Sequence, residues 1–484
     1  MVKYHSTRGS CPPVSFEQAV LQGFAADGGL FVPHPITRLS RDRLNHWKHL
    51  CYVDLAKEVM SCFIDSTIVP KQDLGCLLDE SFASFDKADP PLLSIDSDGQ
   101  SWVLELFHGP TLSFKDVAMG FLIRVMDYFL DRRNDQLSLI LATTGDTGPA
   151  AAYAAAGRKR ISCWPLFPAG MISKEQELQM TTIGAENVTP VGVRGCLEGG
   201  DDLDLVVARL FGDGRLTNRL KLSSVNSINI GRVLMQAVHY FYAYFRLIER
   251  FGDALIFSIP AGAFGNSCGG EIARAMGLPI QFICATNKNH TLHRIFSAGI
   301  FEKLPLQHSL SSAIDIVVPY NFWRFLYLRS DLDPEVVNRS MSELKDRGKV
   351  TFDVSLSHKL SRGVVSASVT DEQTLVTMRD LYEQTGYLLD PHGAVAVAGA
   401  AQCRSMMAKP TPCVSVATAH PAKFPEVIKK ALGSNHQLPE AAFHPSLEEA
   451  KHADVKMMTC NYEELEKRLV EEIEASLQGQ QSDK

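Results

Sequence analysis

Lys115 is the strongest candidate for a chemically reactive residue in this sequence. It follows a Gly-Pro turn and lies between Phe114 and Asp116 in LFHGPTLSFKDVAMGFL (106–122), directly before an apolar run with helical spacing. Burial disfavours the ammonium form of lysine, so an amine in such a place becomes a nucleophile that can form a Schiff base with an aldehyde. The ordinary alternative is that Lys115 is the exposed first-turn residue of the following helix. Its neighbours alone do not decide between the two.

Two glycine-rich loops offer places for anions. TTGDTGPAA (143–151) and SIPAGAFGNSCGGEIA (258–273) each follow an apolar run with strand character and precede a predicted helix. Backbone N–H groups at such a junction bind anions well, although each loop alone could equally be a tight strand-to-helix turn. Neither loop matches the P-loop or the dinucleotide-binding fingerprint.

The lysine and the loops together fit one cofactor. Pyridoxal phosphate needs a glycine-rich cradle for its phosphate and a lysine for its aldehyde. In open α/β sheets, ligands bind at the carboxyl ends of the strands, where both loops would lie. These features predict a site for a phosphorylated ligand and a second anion.

The elements that must position this site alternate between strand and helix. Short apolar strands separated by helices predict an α/β protein with largely parallel sheets. A segment rich in proline, glycine and acidic residues, DKADPPLLSIDSDGQSW (86–102), marks a boundary. We therefore predict three parts: a mainly helical N-terminal domain (1–95), an α/β domain with the lysine and the first loop (96–235), and an α/β domain with the second loop and the C-terminal helices (236–484).

Composition excludes several functional classes. The 484 residues carry a formal net charge of only -7, which argues against binding to nucleic acid or membrane surfaces. No apolar run is long enough for a membrane helix, and the start lacks the features of a secretory signal. The 11 cysteines contain no C-x-x-C pair, and H-E-x-x-H is absent. We expect a cytoplasmic protein with buried thiols, no disulfide framework and no metal site.

Taken together, these segments resemble threonine synthase and the threonine-synthase-like proteins, which belong with the tryptophan synthase β-subunit among the pyridoxal-phosphate enzymes. The resemblance spans nearly the whole chain. It is carried in order by YHSTRG (4–9), ADGGLFVP (26–33), FHGPTLSFKD (107–116), TTGDTG (143–148), SKEQELQMTT (173–182), VNSINIGR (225–232), SIPAGAFGN (258–266), DPHGAVA (390–396) and ATAHPAKFPE (417–426). It implies fold type II: two open, mostly parallel sheets flanked by helices, plus an N-terminal mainly helical domain.

The resemblance also implies how the cofactor is held. Lys115 would bind pyridoxal phosphate covalently and move the α-proton, and Phe114 would lie beside the ring. Asp146 would lie near the ring hydroxyl, and Thr418 would hydrogen-bond the pyridine nitrogen. The residues implied for the phosphate cradle are Gly262, Ala263, Phe264, Gly265 and Asn266.

Two further groups are implied for the substrate. The loop round its carboxylate comprises Thr143, Thr144, Gly145, Asp146 and Thr147. The candidates for its phosphate are donors and cations suited to that group: His108, Ser113, Lys174, Asn226, Ser227, Asn229, Arg232 and Lys423. Several of these residues could instead only brace loops.

Three positions depart from the family pattern near the expected substrate site. Thr144 replaces a usual serine, Ile230 a usual tryptophan, and Gly393 a usual threonine or serine. VPYNFWR (318–324) resembles the animal threonine-synthase-like group, whose members act as phospho-lyases. These departures leave the cofactor chemistry in place, but they put the exact substrate and product in doubt.

The resemblance implies a lyase that removes phosphate from O-phospho-L-homoserine and forms L-threonine. An alternative outcome is catabolic: phosphohomoserine or phosphothreonine would give 2-oxobutanoate, ammonia and phosphate. A paralogue in specialised metabolism and a non-catalytic protein that only binds pyridoxal phosphate are further alternatives. The family contains monomers and homodimers, and the sequence does not select between them.

Overall fold

The computed structural model describes residues 2–249, 252–404, 411–433 and 437–482. Its strands within these ranges are β1 (Lys3–Ser6), β2 (Phe31–His34), β3 (Leu92–Ser94), β4 (Ser101–Glu105), β5 (Leu137–Ala142), β6 (Ile161–Pro168), β7 (Val191–Arg194), β8 (Leu222–Ser223), β9 (Leu255–Pro260), β10 (Ile280–Thr286), β11 (Ile300–Glu302), β12 (Lys349–Thr351), β13 (Val364–Ser368), β14 (Cys413–Ala417) and β15 (Met458–Asn461).

Helices connect and flank these strands. Those of the first half are α1 (Phe16–Gln22), α2 (Arg41–Trp47), α3 (Tyr52–Ser61), α4 (Lys71–Phe82), α5 (Lys115–Arg133), α6 (Thr147–Ala155), α7 (Lys174–Thr181), α8 (Gly200–Gly212), α9 (Gly214–Arg219), α10 (Ile230–Gln236) and α11 (Val238–Leu247). Those of the second half are α12 (Gly265–Ala275), α13 (Thr291–Ala298), α14 (Phe322–Arg329), α15 (Pro334–Arg347), α16 (Val354–Ser361), α17 (Asp371–Thr385), α18 (Pro391–Cys403), α19 (Pro425–Leu432), α20 (Pro445–His452) and α21 (Leu465–Ser482).

Two largely parallel sheets form the centre of the described structure. The larger has the strand order β13-β10-β9-β14-β4-β3, in which only the β3–β4 pair is antiparallel. The smaller has the order β15-β7-β6-β5-β8 and is parallel throughout. Every residue of β6 and of β9 is buried, as expected for strands covered by helices on both faces. The predicted fold class is confirmed.

The N-terminal segment combines four helices with a small ribbon that the sequence pattern did not reveal. β1 pairs antiparallel with β2, from Lys3 opposite His34 to Ser6 opposite Phe31. The glycines and prolines of ADGGLFVPHP (26–35) are typical of turns, yet this stretch contains β2. Local spacing cannot reveal this pairing, because the two strands are joined through α1 and its loops. The Tyr4 hydroxyl donates to the Phe63 carbonyl (3.0 Å) and fixes the ribbon to the end of α3.

Helix α5 places the candidate lysine. It is buried along most of its 19 residues and packs against α4, α6 and α10. A helix that is apolar on several faces must lie inside the protein. Lys115 is its first residue and therefore lies where a buried helix meets the preceding turn.

The residue spacing of NYEELEKRLVEEIEASLQGQQSDK (461–484) predicts an acidic amphipathic helix with a frayed end, and the structure forms α21 within this segment. Leu465, Leu469 and Ile473 of α21 are buried, and they join the apolar cluster of the smaller sheet and α8. Arg209 of α8 pairs with Glu466 at 2.8 Å. The last two residues of the predicted helix, 483–484, lie outside the described ranges.

The structure can be compared with the sequence predictions about disulfides, metal sites and membrane helices. All eleven cysteines are free thiols, but not all are buried as predicted, since Cys51 and Cys76 are exposed. The described residues contain no group of three or more acidic, histidine or cysteine side chains that could hold a metal ion. None of the described helices has the length and apolar character needed to cross a membrane.

Candidate active site

The turn before α5 is fastened to the end of β14. Backbone N–H groups of Phe114 and His420 donate to the carbonyls of Thr418 (2.8 Å) and Leu112 (3.0 Å). The buried carboxylate of Asp116 accepts bonds from the N–H (2.9 Å) and the hydroxyl (2.6 Å) of Thr111, so it shapes the turn from inside. Lys115 thereby lies at the carboxyl edge of the larger sheet.

The amine of Lys115 lies in surroundings that weaken its hold on a proton. Its Nζ is 4.0 Å from the centre of the Phe114 ring. Burial lowers the pKa of Lys115 to about 7, although Asp146 opposes this change. The nearby cations Arg232 and Lys423 lower the pKa further. At neutral pH about half of such amines are unprotonated, which is the state that attacks an aldehyde or accepts a proton.

The first glycine-rich loop follows β5 and leads into α6. The Thr143 hydroxyl accepts from the N–H groups of Gly145 (3.1 Å) and Gly148 (3.0 Å) and holds the loop closed. Gly145 has φ +139°, and a Cβ there would lie 2.3 Å from the side chain of Gln176. A glycine is therefore required at this position. Thr147 is the first residue of α6, so the loop ends at a helix N-terminus that suits a carboxylate.

A buried ion pair joins this loop to the segment after β14. Lys423 Nζ lies 2.7 Å from Asp146 Oδ1, and both side chains are almost wholly buried. Lys423 also donates to the Thr111 carbonyl (3.0 Å), and Gln176 Nε2 donates to Asp146 Oδ1 (3.0 Å). Burial alone would raise the pKa of Asp146, but the positive charges of Lys423 and Lys115 outweigh it and hold the pKa well below its usual value. Asp146 is therefore a fixed anion beside the Lys115 amine.

The second glycine-rich loop follows β9 and leads into α12. Phe264 has a left-handed conformation (φ +63°), and its ring packs on Phe296 and Phe325. A Cβ at Gly262 would lie 2.8 Å from the Ile314 backbone, which leaves no room for a side chain. This close-fitting turn presents the first N–H groups of α12 as a cradle for an anion.

Asn266 tests whether this cradle fits the phosphate of pyridoxal phosphate. Its Oδ1 accepts from Tyr240 (2.7 Å) and lies 2.8 Å from His239 Nε2. Its Nδ2 is buried and has no partner within the described part of the chain. A buried amide donor at a helix N-terminus is what a phosphate oxygen requires. Together with the Lys115 amine, the site fits this cofactor.

Three of the predicted substrate-phosphate residues carry buried polar atoms without a partner in the described structure. These atoms are Ser113 Oγ, Asn226 Oδ1 and Arg232 Nε. Arg232 is 2% exposed and donates from Nη1 to the Val225 carbonyl (3.1 Å). Burial lowers its pKa to about 10, which still leaves the guanidinium charged at neutral pH. Arg232 is thus a buried cation close enough to Lys115 to lower its pKa.

Other predicted residues have structural contacts of their own. Lys174 begins α7, is mostly exposed and pairs with Glu177 at 2.6 Å. Asn229 caps α10, and its amide donates to the Val20 carbonyl (2.8 Å). His108 Nε2 lies 2.6 Å from Glu105. In the described structure these three side chains form their hydrogen bonds and ion pairs with residues outside the group round Lys115. Ser227 is partly exposed, whereas Thr418 is buried.

The three departures from the family pattern occupy different environments. Ile230 is fully buried and belongs to the apolar core. The Gly393 N–H donates to Asp390 (3.0 Å) in the first turn of α18. Thr144 is partly exposed, and its Cγ2 lies 2.5 Å from where a Cβ of Gly200 would be. Of the three, only Thr144 lies in the loop that is predicted to bind the substrate carboxylate.

The contact between Thr144 and Gly200 gives a test of this packing. We expect Gly200→Ala to lower the free energy of unfolding by about 1–3 kcal/mol, because the new methyl group overlaps the threonine methyl. Thr144→Ser removes that methyl, so the double variant should recover most of the loss. Gly212→Ala at the end of the same helix is the matched control, since a Cβ there contacts nothing. Denaturant unfolding measures the four variants and the wild-type protein, and a double variant that does not recover stability would contradict the contact.

Several residues of the site were missed by motif reasoning. Gln176 orients Asp146, while His239 and Tyr240 orient Asn266. His392 accepts from the Ala313 N–H at Nε2 (3.1 Å), so its Nδ1 donates to buried Asp390 (2.7 Å). Gln176 and His392 lie within segments that carry the family resemblance, and this position could have identified them. His239 and Tyr240 lie outside those segments, and nothing in the sequence pointed to them.

Comparisons with known proteins agree with this geometry. Family models described as "Threonine synthase N terminus", "Pyridoxal-phosphate dependent enzyme" and "Threonine synthase, C-terminal" match residues 3–82, 91–419 and 393–468. "Threonine synthase-like 2" of Rattus norvegicus is 38% identical over 88% of this chain and 89% of its own length. "Threonine synthase" of Saccharomyces cerevisiae is 36% identical over 95% of this chain and 97% of its own. The crystal structure of pyridoxal-phosphate-bound threonine synthase from Brucella melitensis superposes with a TM-score of 0.90, at 35% identity over 98% of this chain and 99% of that one.

Proposed function

The chain belongs to the threonine synthase family of pyridoxal-phosphate-dependent lyases, and on that premise we propose that it converts O-phospho-L-homoserine and water into L-threonine and phosphate. The observation that carries the proposal is the Lys115 amine. Burial lowers its pKa to about 7, and the charges of Arg232, of Lys423 and of Asp146 in the first glycine-rich loop also act on it. A cytoplasmic location and a monomeric or homodimeric state remain predictions of the sequence.

Pyridoxal phosphate, when bound, supplies an aldehyde that condenses with amines and a ring that stabilises negative charge at the substrate Cα. The residues of this chain supply the remaining requirements. Asn266 and the first N–H groups of α12 would hold the cofactor phosphate. The Thr418 hydroxyl would face the pyridine nitrogen, and a neutral partner there keeps that nitrogen mostly uncharged.

Lys115 would move protons in this reaction. With a pKa near 7, its free amine can accept the proton from the substrate Cα, and the resulting ammonium can return it. Asp146, held by Lys423 and Gln176, keeps negative charge close by and stabilises the ammonium in turn. The loop 143–147 would bind the carboxylate through its N–H groups and so fix the Cα–H bond relative to Lys115.

Arg232 would bind the departing phosphate. Loss of the α-proton and of one proton from Cβ allows the Cγ–O bond to break, and the phosphate leaves with both electrons of that bond and takes up one proton to become the dianion. A buried guanidinium in place before the bond breaks stabilises this charge without reorganisation. Addition of the hydroxide of water at Cβ, with one proton delivered to Cγ and the α-proton returned to Cα, then gives threonine, and the proton left from water is the one the phosphate takes up.

We expect Arg232→Met to raise KM for O-phosphohomoserine about 10- to 150-fold. Removing a hydrogen bond to a charged group costs about 1.5–3 kcal/mol. Methionine keeps the apolar stem, so packing changes little. Arg209→Met, at the surface pair with Glu466, is the matched control and should leave KM unchanged. An Arg232→Met enzyme with an unchanged KM would remove Arg232 from the phosphate site.

The product decides between this function and its rival. A phospho-lyase would release 2-oxobutanoate, ammonia and phosphate from the same substrate, and the 38% identity to threonine synthase-like 2 makes that outcome worth measuring. Purified protein loaded with pyridoxal phosphate is given O-phosphohomoserine, and threonine, 2-oxobutanoate and phosphate are quantified. We expect threonine in step with phosphate. Dominant 2-oxobutanoate would replace the proposal with the lyase, and no phosphate release would refute both.

A further inference from the structure

Asn321 bridges the two loops that the proposed function assigns to phosphate groups. It lies directly before α14, and its side chain is fully buried. Its Nδ2 donates to the Ala263 carbonyl in the second glycine-rich loop (3.0 Å). The same nitrogen donates to the Ser227 carbonyl (3.0 Å), in the segment 225–232 that carries Arg232. One amide therefore uses both of its hydrogens to connect the two loops.

Further contacts leave this amide little freedom. The Asn321 N–H also donates to the Ala263 carbonyl (3.2 Å), and the Cys268 thiol of α12 donates to the Asn321 carbonyl (3.1 Å). A Cβ at Gly265 would lie 3.3 Å from Asn321 Nδ2, so the helix start packs closely on the amide. A residue with this many contacts transmits a shift of one loop to the other.

Arg324 extends the bridge to a third segment. This arginine is 1% exposed, and its guanidinium donates to Asn321 Oδ1 and to the Ile228 carbonyl. Its Nε donates to the Phe31 carbonyl in β2 (2.9 Å). No carboxylate pairs with Arg324 in the described structure. The guanidinium therefore binds three neutral oxygens, those of Phe31, Ile228 and the Asn321 amide, and fixes the orientation of this amide.

From these contacts we infer that Asn321 and Arg324 are positioning residues that lock the cofactor-phosphate loop and the substrate-phosphate segment into one arrangement, so that filling the first site prepares the second. This inference rests on the proposed function for the roles of the two loops. Neither side chain needs to contact a ligand, because both act through Ala263, Ser227 and Ile228. The coupling works in both directions, as linkage between two binding sites requires.

The test is Asn321→Asp, which keeps the shape and the bond from Arg324 but replaces the NH2 group that donates both bonds with one carboxylate oxygen that faces the two carbonyl oxygens. Two constants are measured: Kd for pyridoxal phosphate, from the absorbance of bound cofactor, and Kd for inorganic phosphate on protein saturated with cofactor, from ³¹P NMR. We expect both to rise about tenfold or more, which corresponds to 1.4 kcal/mol or more for each. The ³¹P resonance of bound cofactor should also shift.

Asn187→Asp is the matched control. The Asn187 amide donates to the carbonyls of Ala155 (2.7 Å), Arg158 (3.1 Å) and Ile161 (2.8 Å), away from both loops. We expect it to lower the melting temperature as Asn321→Asp does and to leave both constants unchanged. If Asn321→Asp lowers only the melting temperature, the residue merely braces the fold and the inference is overturned.

Two further results complete the test. If Asn321→Asp does not fold, Asn321→Ser, which keeps one donor, is measured instead and judged by the same two constants. Neither Kd depends on turnover. If the wild-type enzyme forms no threonine but Asn321→Asp still raises both Kd values, the proposed function is refuted and this inference stands. If the wild-type enzyme forms threonine but Asn321→Asp leaves both Kd values unchanged, this inference is refuted and the proposed function stands.

Discussion

Lys115→Met is expected to abolish turnover and to leave the protein unable to retain pyridoxal phosphate covalently. The substitution removes the amine that we propose holds the cofactor and moves the α-proton. Proton transfer by a positioned side chain alone contributes about 10²–10⁴-fold, and the loss of covalent binding adds to that, so we expect a fall in kcat of at least about 10⁴-fold. Phosphate release from O-phosphohomoserine measures it.

The same variant also identifies the attachment point. Borohydride reduction of wild-type protein followed by peptide mapping should place the cofactor on the peptide that contains Lys115, and Lys115→Met should carry no label. Lys57→Met is the control, because Lys57 lies in α3 and pairs with Asp54 and Asp79. Label on another lysine of the wild-type protein would refute the assignment of the site.

The lowered pKa of Lys115 predicts how its acetylation rate changes with pH. Only the unprotonated amine reacts with acetic anhydride, so the acetylation rate of Lys115 in cofactor-free protein should rise with pH and level off above its pKa of about 7. Between pH 6 and pH 8 the unprotonated fraction rises about tenfold for a pKa of 7, and about a hundredfold for an ordinary lysine with a pKa of about 10.4. Mass spectrometry compares Lys115 with Lys57. A hundredfold rise without a plateau would mean that Lys115 is solvated.

The features that the sequence predicted well are those that depend on local pattern. Lys115 is placed by a Gly-Pro turn and an apolar helical run, and both loops follow buried strands whose residue types are typical of parallel sheets. These signals depend on neighbours within a few residues. They were therefore readable without knowledge of tertiary structure, and the fold class followed from them.

The features that the sequence did not reveal depend on contacts between distant segments. Asn321 contacts carbonyls 58 and 94 residues away, and Gln176 contacts Asp146 30 residues away. No spacing rule links such pairs. The solvent exposure of single side chains could not be predicted for a similar reason. That Ile230 is buried in the core and Lys174 is mostly exposed depends on how α10 and α7 pack. The domain boundaries at residues 95 and 235 stay predictions.

The buried pair of Asp146 and Lys423 should have the largest effect on stability. We expect Asp146→Asn and Lys423→Met each to lower the free energy of unfolding by about 3–5 kcal/mol, since each leaves the other partner buried without its counter-charge. Lys423 would keep only the Thr111 carbonyl, and Asp146 only the Gln176 amide among the bonds described above. Denaturant unfolding of the cofactor-free proteins measures the loss.

The double variant separates stability from function. Asp146→Asn with Lys423→Met removes both charges, so its loss of stability should be smaller than the sum of the two single losses by at least about 2 kcal/mol, whereas catalysis should not return. The exposed pair of Glu448 and Lys451 is the control, and breaking it should cost about 1 kcal/mol or less. Additive losses would show that the two residues do not act as a pair. Recovery of threonine formation together with stability would show that Asp146 only supports the loop, because a neutral asparagine cannot stabilise the Lys115 ammonium as a carboxylate does.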